Sequence, residues 1–160
     1  MRPCQLPGRW LFADERLGDA LWPVLRSLPR GTGMIVLLED VEGRPKLLRR
    51  IRRIARPRRL TVVDGAGGEV GRVHDSRELL RALARRTPIL FLSPLYETRS
   101  HPGRRPLPRM RAATLARLAG QPVFALGGMN DESYRSVRPL GFSGWGGIDA
   151  WISRRGPSRE

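Results

Sequence analysis

Apolar residues along this chain fall into short runs separated by segments with helical spacing. Residues 10–13 (Trp-Leu-Phe-Ala), 34–38 (Met-Ile-Val-Leu-Leu), 60–63, 89–92 (Ile-Leu-Phe-Leu), 123–126 (Val-Phe-Ala-Leu) and 143–148 read as buried strands, and 70–73 reads as a further short one. Short, mainly apolar runs bounded by polar, Gly or Pro residues fit strands covered on both faces. Between them, Leu17, Ala20, Leu21, Val24, Leu25 and Leu28 form a helical stripe, with Asp19 as a candidate cap, Pro23 in the first turn and Pro29-Arg-Gly31 as the stop. A second stripe, Leu47, Leu48, Ile51, Ile54 and Ala55, carries Arg49, Arg50, Arg52, Arg53 and Arg56 mostly on its other face. That arrangement reads as an amphipathic helix with a solvated face rather than as a nucleic-acid-binding helix.

Helix boundaries are also legible further on. Asp75 and Glu78 stand three apart, as a capping box requires, ahead of Leu79, Leu80 and Leu83. Met110, Ala113, Thr114, Leu115 and Leu118 predict a helix closed by Gly120. Asn130 reads as the N-cap of a helix ending before Pro139. Strands therefore alternate with helices throughout, which predicts a parallel sheet, open or closed into a barrel. No linker or change of composition appears, so residues 1–160 read as one domain, with a core over about 9–152 and a frayed tail over 153–160.

Composition narrows the classes. A chain of 160 residues can bury a sizeable core. No apolar run approaches the roughly 20 residues of a membrane span, and the first residues lack the apolar centre of a signal peptide, so a cytoplasmic location is expected. Cys4 is the sole cysteine, so no internal disulfide forms, and it reads as an incidental thiol. Net charge is +15, from 30 basic and 15 acidic residues, and Lys46 is the sole lysine. Such charge favours phosphorylated small molecules and other polyanions. The arginines are spread along the chain without zinc-finger, zipper or RNA-binding motifs, so no more than non-specific attraction to nucleic acid is expected.

The chemistry-bearing residues cluster between 88 and 151. Phe91-Leu-Ser-Pro-Leu-Tyr-Glu-Thr-Arg-Ser-His-Pro-Gly103 is followed by Pro122-Val-Phe-Ala-Leu-Gly-Gly-Met129 and then by Gly144-Trp-Gly-Gly-Ile148. This ordered set resembles the C-terminal half of the thiamine phosphate synthase family, whose superfamily also holds thiazole tautomerases. Leu11-Phe-Ala-Asp-Glu-Arg-Leu-Gly-Asp19 and Leu28-Pro-Arg-Gly-Thr-Gly33 are similar to a bacterial branch of it.

The resemblance implies a TIM-type (β/α)8 barrel, here shortened by about one βα unit. It implies a transferase that joins a hydroxymethylpyrimidine diphosphate to a thiazole phosphate, releasing pyrophosphate, with Mg²⁺ as cofactor. Alternatives are a catalytically impaired phosphate-binding or tautomerase-like barrel and, from the charge, a basic nucleic-acid-associated protein. Thr98, Ser100 and His101 match a phosphate-binding loop, with His101 where the family usually has lysine. Gly127 and Gly128 match its phosphate-facing pair, and Gly146 and Gly147 fall in the last phosphate loop. For both glycine pairs the competing reading is tight packing of loops. Asp64 matches a metal-binding carboxylate, against the reading of a turn aspartate before Gly65. Where the family has Gln-x-Arg-x-Lys this chain has Leu37-Leu38-Glu39-Asp40, and Asp149 stands where a serine is common. His74 reads as a strand-end histidine beside a helix cap, and Trp145 and Trp151 as packing residues.

Overall fold

The computed structural model describes residues 6–38, 43–97, 103 and 105–152. They fall into two compact units, one from residues 1–66 and 148–160 and one from residues 67–147. Seven strands occur among the described residues, and those paired within each unit run parallel.

The first unit contains β1 (Arg9–Ala13), β2 (Gly33–Val36) and β3 (Thr61–Asp64), in the order β3-β2-β1. The apolar run of β1 is buried from Trp10 to Ala13, and all of β2 is buried, as strands covered on both faces require. Trp10 stands opposite Gly33 in the register. A β-carbon at Gly33 would lie 2.1 Å from the Trp10 ring, so that glycine makes room for the indole. Between β1 and β2, Asp14 rather than Asp19 supplies the cap, accepting the Arg16 amide at the start of a 3-10 turn over Glu15–Ala20. Helix α1 (Leu21–Ser27) follows with no side-chain cap, because the turn ahead of it already supplies the entry. Helix α2 (Arg44–Ala55) buries Leu48, Ile51 and Ala55. The short helix α6 (Asp149–Ile152) returns to this unit, and the Trp151 indole donates to the Trp10 carbonyl at 3.2 Å.

The second unit holds β4 (Val70–Val73), β5 (Ile89–Leu92), β6 (Val123–Leu126) and β7 (Gly144–Gly147), in the order β7-β6-β5-β4. Helices α3 (Ser76–Ala84), α4 (Arg109–Leu118) and α5 (Asp131–Val137) connect them. No helix separates β3 from β4; a single 3-10 turn over Gly65–Gly67 takes its place. The βα units of the two halves are thus joined without a helix, and the described residues hold seven strands. The core here is built on Phe91, Phe124 and Trp145, with the two phenylalanine rings 5.3 Å apart. Asp75 caps α3 by accepting the Glu78 amide, and Asn130 and Ser133 form a full capping box at α5. The Asp75–Glu78 box is shifted: Glu78 reaches past the cap residue to the His74 amide at 2.7 Å and to His74 Nδ1 at 2.8 Å. His74 thus sits at a strand end beside a helix cap. No helix among the described residues is long and apolar enough to cross a membrane.

Candidate functional site

The second unit brings the ends of β5, β6 and β7 together through their backbones. Chain leaving β5 is tied to chain leaving β6 by two hydrogen bonds, from the Leu95 amide to the Leu126 carbonyl at 3.0 Å and from the Tyr96 amide to the Gly127 carbonyl at 3.2 Å. The Tyr96 hydroxyl shares a hydrogen bond with Ser136 on α5, and Arg109 at the start of α4 donates to the Ser136 carbonyl at 2.8 Å. These contacts fix Leu95 and Tyr96, just after β5, against the end of β6 and α5.

Gly127 and Gly128 both have left-handed backbone, with φ of 95° and 62°. Glycine reaches these conformations without the steric penalty of a β-carbon. At Gly128 space is also closed: a β-carbon would lie 2.6 Å from the Glu97 carbonyl oxygen and 2.8 Å from the Tyr96 β-carbon. Gly128 is exposed and Gly127 half-buried. A β-carbon on Gly147, half-buried at the end of β7, would meet the Met129 carbonyl at 3.2 Å, while Gly146 is buried within the strand. Gly128 thus lets the chain after β6 approach the chain after β5, and Gly147 lets the end of β7 approach Met129. Thr98, Ser100 and His101 lie outside the described residues; Glu97, the residue before Thr98, has its carbonyl against Gly128.

Helix α5 starts with Asp131 and Glu132, whose charges complement its own dipole. Asp131 also accepts the indole N–H of Trp145, which is wholly buried, at 3.1 Å. Trp145 and Trp151 are packing residues, both buried. Tyr134 donates to the Phe142 carbonyl, and burial raises its pKa.

Asp64 belongs to the first unit, at the end of β3. Its carboxylate accepts from the Arg44 guanidinium and, at 3.0 Å, from the Ala66 amide. Arg44 also donates to the carbonyls of Val36, at 3.0 Å, and Leu38. The guanidinium therefore joins the start of α2 to the ends of β2 and β3. Its hydrogen bond to Asp64 holds that carboxyl below the usual aspartate range, and Asp64 raises Arg44 in return. Nothing in the Arg-rich stretch singles out Arg44 except its place just ahead of Pro45, and Asp64 is the first acid after it among residues 43–64. A divalent ion at Asp64 would have to displace the guanidinium. No group of three metal-ligating side chains occurs among the described residues. Among the described residues, Asp64 offers a lone carboxylate already paired with Arg44, and by itself it does not fit a dication. Glu39 and Asp40 lie outside the described residues.

Residues 70–150, just over half of the chain, match the family described as thiamine monophosphate synthase. That span begins at β4 and contains β5, β6 and β7 with their loops. No curated protein matches the chain. Among solved structures, thiamine phosphate pyrophosphorylase from Pyrococcus furiosus is similar over 91% of this chain and 87% of that one, with a TM-score of 0.68 and 17% identity. At that identity the likeness is one of fold, and the fold is the TIM-like α/β type with seven strands among the described residues. By its family match and its fold, this chain belongs to the thiamine monophosphate synthase family.

Proposed function

We propose that this chain is a thiamine phosphate synthase-like transferase. It joins a hydroxymethylpyrimidine diphosphate to a thiazole phosphate and releases pyrophosphate. The observation that carries the reading is the coincidence of the matched family span with the glycine-built ends of β6 and β7, the former packed against the chain leaving β5. Backbone amides at such turns suit a phosphate, because no side chain stands between them and the ligand. In this reading the thiazole phosphate is taken up by Gly127, Gly128, Gly146 and Gly147 with the hydroxyls of Thr98 and Ser100, and His101 donates a further hydrogen bond. A net charge of +15 raises the affinity for both phosphorylated substrates.

A second reading, a phosphate-binding or tautomerase-like barrel without pyrophosphate chemistry, is favoured by two observations. The Asp64 carboxylate is engaged by Arg44, and Leu37-Leu38-Glu39-Asp40 stand where the family carries Gln-x-Arg-x-Lys for the diphosphate. The test is formation of thiamine phosphate from the two substrates, with and without Mg²⁺. Product formed above the uncatalysed rate supports the transferase. Thiazole phosphate binding without product supports the second reading, and neither product nor binding excludes both.

A further inference from the structure

We propose that the outer face of α2, which periodicity alone reads as a solvated face, is a non-specific binding surface for the phosphate backbone of nucleic acid. Lys46, Arg49, Arg50, Arg52, Arg53 and Arg56 are all exposed. At about 100° per residue these six fall within one arc of about 160°. Leu48, Ile51 and Ala55, buried, lie opposite. No acidic residue occurs from Gly43 to Val63, so nothing within this stretch neutralises the arc. Arg49, Arg52, Arg53 and Arg56 span eight residues, about 10 Å from first to last, or one charge per roughly 3 Å. That density is comparable to the roughly 3.4 Å axial spacing of phosphates along one strand of a duplex.

Charge type and surroundings favour nucleic acid over a lipid surface. Arginine binds phosphate through paired donors and stacks on flat rings. Arg50 already does the latter, with its guanidinium carbon 3.9 Å from the centre of the Trp22 ring. A helix lying in a membrane interface needs an apolar face to insert, and in α2 Leu48, Ile51 and Ala55 are committed to the core while Leu47 and Ile54 are already half-buried. The two charge distributions along the chain can be told apart, because α3 and α4 also expose arginines, among them Arg81, Arg85, Arg111 and Arg117.

The experiment is fluorescence anisotropy of a labelled 20-nucleotide single strand and of a duplex, titrated with the full chain from 50 to 200 mM salt. Four phosphate contacts give a slope of about −3 in log affinity against log salt, or an affinity loss of roughly 50-fold across that range. The variant R49Q/R52Q/R53Q/R56Q, with Arg50 kept on Trp22, is expected to flatten the slope by about 3 and to bind at least 10-fold more weakly at 100 mM salt. The matched variant R81Q/R85Q/R111Q/R117Q is expected to change the slope by less than about 1. Circular dichroism melts confirm that each variant is folded. Equal weakening by the two variants, no binding at 50 mM salt, or α2-dependent binding to anionic vesicles without binding to nucleic acid would overturn the proposal.

Discussion

Gly128 at the end of β6 lies directly against Glu97 in the loop after β5: a β-carbon on Gly128 would come within 2.6 Å of the Glu97 carbonyl oxygen. Its φ of 62° adds a second constraint. Packing alone therefore accounts for glycine here, and phosphate approach, if it uses the same residue, uses a turn already shaped by its neighbour. Replacing Gly128 by Ala combines a left-handed conformation with overlap against backbone, at a cost of roughly 2–4 kcal/mol. Gly67→Ala is the control, since a β-carbon there meets nothing within 4 Å and φ is not in the left-handed range. Urea unfolding of the two variants should separate them by that amount.

The Arg44–Asp64 pair makes stability depend on pH in one direction. Asp64 titrates lower in the folded chain than in the unfolded one, chiefly because of the Arg44 hydrogen bond. Its contribution is therefore fully present above the ordinary aspartate value of about 4 and is lost as pH falls through the depressed folded value. Arg44→Gln should lower stability at pH 7 by about 1 kcal/mol, the size of a partly exposed ion pair. The gap between parent and variant should shrink steadily below about pH 4. Urea titrations at both pH values measure it; a gap that does not change with pH would deny the pair its role.

Gly33 has a different reason to be glycine. A β-carbon would enter the Trp10 ring, with atoms at 2.1, 2.4 and 2.5 Å. Trp10 is fully buried and Gly33 is buried, so the ring has no route into solvent. Gly33→Ala should cost more than about 3 kcal/mol by overpacking. Adding Trp10→Leu should recover part of that loss, giving a double variant more stable than the sum of the single changes. Thermal melts of the three variants test the coupling.

Much of the fold was legible because strand and helix periods are distinct. Ile89–Leu92 and Val123–Leu126 appear as strands with the bounds that their apolar runs suggest. Asn130 caps α5, and Gly120, with φ of 62°, closes the chain after α4. Local chemistry decided these elements, so the sequence could show them. Asp14, not Asp19, became the first cap because a 3-10 turn forms ahead of α1. A choice between two nearby aspartates depends on that turn and not on periodicity. Glu78 lies at the spacing of a capping box, yet it bonds His74, one residue before the cap. The pairing of Arg44 with Asp64 joins residues 20 apart and depends on the ends of β2 and β3. Side-chain pairing of that range leaves no periodic mark. Glycines at 127, 128, 146 and 147 were visible as candidates, but spacing alone does not distinguish a β-carbon that blocks a ligand from one that blocks a neighbouring loop.

Thiazole phosphate binding at the loops of the second unit is the central claim, and isothermal titration calorimetry tests it most directly. The full chain is titrated with thiazole phosphate and, separately, with the unphosphorylated thiazole alcohol, and both titrations are repeated on T98A/S100A. The account predicts saturable one-to-one binding of the phosphate, at least 10-fold weaker binding of the alcohol, and a comparable loss in the double variant from its missing hydroxyl donors. The double variant should melt as the parent does. Equal affinity for phosphate and alcohol, or phosphate binding untouched by the double substitution, would contradict it.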